Sequence, residues 1–176
     1  MYFNYRKVIA LIGISVCTGG MALAQGPAPE QIKKLYFFDG NWQGKAKMTM
    51  NGQTSEFPYS MNMKKDAAGW GLQYHEHGAM QGAPAYEGFG AITYDLGEDM
   101  IHIFTCSNYG DVHDHKGKWS GDKSFTLKYN GTMEGKPMEE TLSCTILDAS
   151  SWRVDDKVTV GGQVAQEMQI VLHKKK

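Results

Sequence analysis

Two His-x-His pairs are the residues of this sequence whose types and spacing best suit metal chemistry. They are His75-Glu76-His77 and His113-Asp114-His115. On a β-strand, the side chains of residues i and i+2 emerge on the same face, so each pair can offer two imidazoles to one ion. Both pairs are therefore candidate chelating sites if they lie on strands.

Strand parity assigns the two pairs to different faces. His75 and His77 are out of phase with the apolar Leu72 and Tyr74 of the same segment, so we expect them to face solvent. Glu76 shares the apolar phase, and one interpretation is a buried acid with a perturbed pKa; because it stands near a turn, we favour a position at the rim of the fold. The second pair is expected to face the interior, because it alternates with a mostly polar set: Val112, Asp114, Lys116, Lys118 and Ser120.

The preceding segment extends the second pair into a predicted metal site. With a two- or four-residue loop at Tyr109-Gly110, Cys106 lies opposite His113 and Phe104 opposite His115. Four side chains would then share one surface, and they are the soft and borderline ligands that zinc and copper prefer: His102, Cys106, His113 and His115. A three-residue loop breaks this alignment. The alternative interpretation is a set of isolated polar residues on a partly wet barrel wall or rim.

The elements that position these residues have a period of two. Residues 42–50 alternate apolar and polar side chains, Asn51-Gly52 is a typical hairpin turn, and similar segments recur at intervals of roughly ten residues. Residues 30–38 have helical spacing. The pattern predicts an all-β, up-and-down antiparallel barrel of about ten strands with one short N-terminal helix. We expect Trp42 to plug the end of the barrel that the helix covers.

A barrel of this size can hold a ligand when its lining is not entirely bulky. The candidates for the cavity wall are Met48, Met50, Tyr59, Met61, Leu72, Tyr74, Tyr94, Phe104 and Trp119. Because methionine is an adaptable apolar filler, such a lining suits either a small apolar or amphipathic guest or a filled core. Cys106 and Cys144 share the apolar phase, and we expect two buried free thiols, since their strands are too far apart for a disulfide.

The amino-acid composition limits the class of protein and the kinds of partner that we expect. The chain has 176 residues, of which 41% are hydrophobic and 21% charged, and its formal net charge is −1. These values fit one globular domain and give no electrostatic reason to expect a nucleic acid or an anionic membrane as a partner. The sequence contains no nucleophile elbow, phosphate-binding loop or His-Glu-x-x-His motif. A binding protein is therefore favoured over an enzyme, and no cofactor is required.

The N-terminus has the pattern of a secretory signal peptide. Arg6 and Lys7 precede an apolar run over residues 8–16, and Ala22-Leu23-Ala24 is typical of a cleavage site. The run is too short to span a bilayer, so stable membrane insertion is not expected. We therefore expect a periplasmic or extracellular protein. The predicted segments are a signal peptide over 1–24, a linker and capping helix over 25–38, and a barrel over 39–176.

Several short motifs occur together in the predicted barrel. They are Met80-Gln81-Gly82-Ala83-Pro84, Tyr86-Glu87-Gly88-Phe89-Gly90, Tyr94-Asp95, Gly117-Lys118-Trp119-Ser120-Gly121-Asp122 and Gly135-Lys136. In order and spacing they resemble the family known as domain of unknown function 1579, a group of mostly bacterial and often secreted lipocalin-like barrels. The resemblance extends from Leu35 to Lys174. It implies a fold and a compartment, and it carries no activity with it.

Three functions are open on the sequence alone. The first is an exported barrel that binds a small apolar or amphipathic molecule. The second is a metal- or haem-binding barrel. His173 stands near the C-terminus, where some small ten-stranded barrels carry a haem ligand, but its phase predicts an outward side chain. The third is a structural or interaction protein with a filled core.

Overall fold

The computed structural model describes residues 29–80 and 82–175. The predicted signal peptide and its cleavage site lie outside these residues, as do residues 25–28 of the predicted linker. None of the helices in the described part of the chain is long and apolar enough to cross a membrane.

A short helix opens the described chain. The helix α1 spans Glu30–Leu35 and continues as a 3-10 turn over Tyr36–Phe38. Pro29 immediately precedes it, where the fixed φ of proline suits the start of a helix and its missing N–H breaks no intrahelical bond. Ile32 and Leu35 are buried on the face that packs against the barrel. The structure thus confirms the predicted N-terminal helix.

Ten antiparallel strands follow α1 and close into a barrel. Each strand pairs with its neighbours in the sequence, and β1 pairs with β10. Closure leaves no edge strand, as the up-and-down pattern predicted. The strands are β1 Gly40–Met50, β2 Gln53–Asp66, β3 Gly71–Gly78, β4 Tyr86–Asp95, β5 Met100–Ser107, β6 Val112–Trp119, β7 Ser124–Met133, β8 Lys136–Asp148, β9 Ser151–Val160 and β10 Gln163–Lys174.

Aromatic side chains fill the end of the barrel that α1 covers. The indole Nε1 of Trp42 donates a hydrogen bond of 2.7 Å to the carbonyl oxygen of Phe38. The ring of Phe38 packs edge-on against Trp152 at 4.9 Å and against Phe125 at 5.9 Å. Edge-to-face contacts at these distances are favourable for aromatic rings. Trp42 is 2% exposed, which confirms its expected place in the plug.

The β5–β6 hairpin corrects the predicted metal cluster. The amide of Ser107 donates to the carbonyl oxygen of Asp111 at 3.1 Å, which leaves a loop of residues 108–110 with Gly110 at φ +85°. This is a three-residue loop, so the register differs by one residue from that required to bring the four ligands together. Thr105 lies opposite His113, and the neighbouring pair is Ile103 with His115.

The shifted register separates the four predicted ligands. The inward orientation expected for His113 and His115 is confirmed, whereas His102 and Cys106 lie on the outer face of β5. Cys106 stands between the exposed side chains of Phe89 and Val112. The prediction that Cys106 points inward is therefore wrong.

The second cysteine behaves as expected. Cys144 is buried on the inner face of β8, where it pairs across the ladder with Phe125 and Val154. In the described part of the chain, both Cys106 and Cys144 are free thiols. The expectation of two unbridged cysteines is confirmed.

Candidate functional site

A cavity of about 120 Å³ lies inside the barrel. Its apolar wall is nearest to α1 and includes Phe38, Ile103, Phe125, Leu142, Trp152 and Ile170. Its polar wall lies toward the other end, where β3 ends and β6 begins, and includes Tyr59, Tyr74, Glu76, Tyr86, His113, His115 and Glu140. The cavity is therefore amphipathic along the barrel axis.

One polar group of the wall is centred on Glu76. The hydroxyl of Tyr59 donates to Oε2 of Glu76 at 2.5 Å, and the hydroxyl of Tyr86 donates to Oε1 at 2.8 Å. Glu76 is 9% exposed, so it is a buried acid and the expectation of a rim position is wrong. Room for the carboxyl group comes from Gly88, the residue paired with Glu76 on β4, which has no side chain.

Burial is the largest cause of the pKa shifts of Glu76, Tyr59 and Tyr86. Burial raises the pKa of Glu76 above its usual value, and the hydrogen bonds from Tyr59 and Tyr86 only partly oppose the shift. Burial, reinforced by the nearby carboxyl of Glu76, also raises the pKa of both tyrosines. Both hydroxyls therefore remain protonated and available as donors at neutral pH.

A second polar group joins the two inward histidines of β6 to Glu140 of β8. Oε2 of Glu140 lies 2.7 Å from Nδ1 of His113 and 3.1 Å from Nε2 of His115. One atom from each of the three residues could contact a common ion, since these atoms lie within 4.8 Å of one another. Tyr129 of β7 stacks on the ring of His113 at 4.1 Å and restricts its orientation.

The contacts of this group lack the angles of hydrogen bonds. Among the described residues, Oε2 of Glu140 and both ring nitrogens of His115 are buried without a hydrogen-bond partner. Oδ1 of the neighbouring Asp156 is likewise buried and unpartnered within the described chain. Buried polar atoms of proteins are normally hydrogen-bonded, so four such atoms in one region call for an explanation.

The charges of this group depend on one another. Burial alone would raise the pKa of Glu140, but the adjacent imidazoles of His113 and His115 outweigh it and lower the pKa. The contact with Glu140 raises the pKa of His113. Burial, together with repulsion from Glu140, raises the pKa of Asp156. Glu140 is thus the anion of the group.

The predicted cavity residues fall into three sets. Tyr59, Met61 and Tyr74 line the cavity together with the two inward histidines. Phe104 is 45% exposed on the outer face, because it has the phase of His102 and Cys106, and Met50 is 47% exposed near the β1–β2 turn. The remaining candidates pack against the core without lining the cavity: Met48, Leu72, Tyr94 and Trp119.

The outward histidines have surface partners. His102 lies 3.1 Å from Asp114 and 3.3 Å from Glu98, both on the outside of the barrel. His75 and His173 are exposed, as their phase predicted. These residues contribute nothing to the interior wall.

Sequence reasoning missed Glu140. Its phase on β8 is that of Leu142 and Cys144, so it was open to the same parity argument that singled out Glu76. A lone carboxylate in an apolar phase points to a buried charge, but its partners stand two strands away on β6 and become visible only in the folded barrel.

Comparisons with known proteins support the architecture. No family model matches the sequence, and no curated protein matches it either. The fold is similar to the crystal structure of Rv2717c from M. tuberculosis, with a TM-score of 0.63 and 12% identity, over 85% of this chain and 100% of that one. It is also similar to the S-type phycobiliprotein lyase CPES from Guillardia theta, with a TM-score of 0.58 and 10% identity, over 89% of this chain and 97% of that one. The chain therefore shares with these two proteins the fold of a closed, antiparallel β-barrel, which here has ten strands.

Proposed function

We propose that this protein binds a small amphipathic molecule inside its barrel. The observation that carries the proposal is the two-sided cavity, with aromatic and aliphatic residues toward α1 and tyrosine, carboxyl and imidazole groups at the other end. Pockets for small ligands typically combine an apolar lining with a few convergent polar groups. The apolar part of the guest would lie against Phe38 and Trp152, and its polar part beside Glu76 and His113.

The size of the cavity limits the guest. A volume of about 120 Å³ is below the range of about 300–1,000 Å³ that holds drug-sized ligands. It is close to that of an engineered apolar cavity of about 150 Å³ that binds benzene. The size therefore favours a guest of one ring or a few heavy atoms over haem.

Native mass spectrometry of protein purified without detergent tests whether a guest is carried from the cell. Phenol is a suitable added probe, because it joins one ring to one hydroxyl group. We expect phenol to bind the wild-type protein in isothermal titration calorimetry. The binding should be lost in Val154→Phe, which places a ring in the cavity, since Val154 is part of its lining.

The matched control is Val112→Phe. It makes the same chemical change on the outer face, where Val112 is 55% exposed, and should leave phenol binding unchanged. Equal binding by Val154→Phe and the wild type would place phenol outside the cavity. Absence of both a carried guest and phenol binding would favour a structural protein with a water-filled or packed interior.

We also infer that the chain is exported and cleaved after Ala24. Arg6, Lys7 and the apolar run over residues 8–16 support export. N-terminal sequencing of protein from the periplasm or medium should begin at Gln25. An intact Met1 in protein that stays inside the cell would contradict export.

A further inference from the structure

We propose that His113, His115 and Glu140 form a Zn²⁺ site on the inner wall of the barrel, with a fourth coordination position open to the cavity. The site is separate from the outer-face residues His102 and Cys106. It does not depend on the binding of a small organic molecule, and each can be tested without the other.

The distances between the three ligand atoms suit one ion. Zinc binds imidazole nitrogen and carboxylate oxygen at about 2.0–2.2 Å, so two ligand atoms at the tetrahedral angle stand about 3.3 Å apart. Oε2 of Glu140 lies 3.1 Å from Nε2 of His115 and 2.7 Å from Nδ1 of His113. Opening the contact with His113 from 2.7 Å to this separation needs a relative movement of roughly 0.6 Å between the two side chains.

The burial of His115 is the second observation that points to an ion. His115 is 2% exposed, and neither of its ring nitrogens has a hydrogen-bond partner in the described part of the chain. The nearby carboxylate oxygen of Glu140 is also unpartnered among the described residues, despite its short contacts with both imidazoles. A cation between these atoms would accept the lone pairs of Nε2 and Oε2, which otherwise face each other without hydrogen-bond geometry.

An ordinary ion pair accounts for these contacts less well. Oε2 of Glu140 stands at ion-pair distance from both imidazoles, but an ion pair alone leaves this oxygen and both ring nitrogens of His115 buried without a hydrogen-bond partner among the described residues. A divalent ion uses both imidazoles and the carboxylate at once. The ring of Tyr129, stacked on His113 at 4.1 Å, holds one of the ligands in place before the ion arrives.

The chemical types of the three ligand side chains favour zinc over magnesium and calcium. Two imidazoles and one carboxylate are the ligands of zinc sites that keep an open position for water or another ligand. Magnesium and calcium prefer oxygen ligands, which this group does not supply in sufficient number. All three side chains line the cavity, so the open position of the ion would face the interior of the barrel.

Zinc titration of the metal-free protein tests the site. Protein stripped with EDTA and exchanged into metal-free buffer would compete for Zn²⁺ with a chromogenic chelator near neutral pH. We expect one Zn²⁺ per chain for the wild type. Glu140→Gln and His113→Asn each remove one ligand with little change in size, and each should weaken binding by at least about 100-fold, the upper range seen for loss of an outer-shell partner.

The matched control is His102→Asn on the outer face. His102 has two carboxylates within 3.3 Å, so it is the centre of the rival surface site on the same hairpin. We expect this variant to bind Zn²⁺ as the wild type does. No zinc binding by the wild type, unchanged binding by Glu140→Gln, or loss of binding in His102→Asn would overturn the assignment.

Two measurements keep the test independent of folding defects. Circular dichroism of each variant shows whether it folds. If Glu140→Gln does not fold, the zinc affinity of His113→Asn tests the site instead. The His113 side chain is 18% exposed and is therefore easier to replace. Co²⁺ in place of Zn²⁺ gives the visible absorption of a four-coordinate ion. That absorption should appear in the wild type and in His102→Asn and be absent from His113→Asn.

Discussion

Glu76 occupies the space that a side chain at position 88 would fill. The two residues are paired across β3 and β4, and a Cβ atom built on Gly88 would lie 2.5 Å from Oε1 of Glu76. Real Cβ atoms do not approach that closely, so the glycine is what admits a carboxyl group to this part of the barrel interior. The polar wall of the cavity thus depends on a residue that has no side chain.

Gly88→Ala and Gly90→Ala should lower the free energy of unfolding by different amounts, because one added Cβ atom meets a side chain and the other meets backbone. At Gly90 the added Cβ atom would lie 1.8 Å from the backbone carbonyl oxygen of Phe104, whereas at Gly88 it meets the end of the Glu76 side chain. Because backbone yields less than a side chain, we expect Gly90→Ala to cost about 3 kcal/mol or more, and Gly88→Ala about 1–3 kcal/mol. Urea unfolding measures both.

Gly121→Ala is the control for this comparison. Its Cβ atom would have its nearest neighbour at 3.7 Å, the hydroxyl oxygen of Ser124, so the free energy of unfolding should change little. A Gly90→Ala variant as stable as Gly121→Ala would show that β4 and β5 do not approach as closely as described.

Replacing Glu76 with glutamine should change how stability depends on pH. Burial raises the pKa of Glu76 in the folded protein above the ordinary value of 4.5. Such a group favours folding most below the unfolded pKa, and this contribution is lost as the pH rises through the folded pKa. The free energy of unfolding of the wild type, minus that of Glu76→Gln, should therefore fall as the pH increases from about 4.5.

Urea unfolding of both proteins over a series of pH values provides this difference. Glu87→Gln removes a carboxylate from the outer face of β4 and reports the effect of a surface charge. A difference that instead rises with pH would mean that the hydrogen bonds from Tyr59 and Tyr86 stabilise the Glu76 carboxylate more than burial penalises it.

Two phenylalanines should differ sharply in their contribution to stability. Phe38 is 2% exposed and packs against Trp152 and Phe125 in the plug, whereas Phe104 is 45% exposed on the outer wall. We expect Phe38→Ala to lower the free energy of unfolding by about 3–5 kcal/mol, because it leaves a cavity among aromatic rings. Phe104→Ala should cost about 1 kcal/mol or less. Similar losses in the two variants would contradict the described orientation of β5.

The period of two predicted the strands, and the barrel was then favoured over a sandwich because closure removes edge strands and a short helix can cover one open end. The pleat of a strand fixes the alternation of its side chains, so His75, His113 and Trp42 could each be assigned to a face from the sequence. The same rule explains why Gly88 and Gly90, which share the phase of Ile92, stand where other residues approach closely.

The pairing register of β5 and β6 could not be predicted from the sequence, because it depends on the number of residues in the loop between them. Residues 108–110 form a three-residue connection with Gly110 at positive φ, and this one-residue difference moves Cys106 away from His113. Glu140 was missed for another reason: it contacts His113 across an intervening strand, and pairing rules relate only adjacent strands.

Thiol labelling provides a direct check of the β5–β6 register. Cys106 lies on the outer face beside the exposed Phe89 and Val112, while Cys144 is 4% exposed and burial raises the pKa of its thiol. Since the thiolate is the reactive form, we expect iodoacetamide to modify Cys106 at least about tenfold faster than Cys144 in the folded protein. Peptide mass mapping resolves the two sites, and labelling in denaturant should remove the difference. Faster modification of Cys144, or equal protection of both thiols, would contradict the outward orientation of Cys106 and with it the described register of β5 and β6.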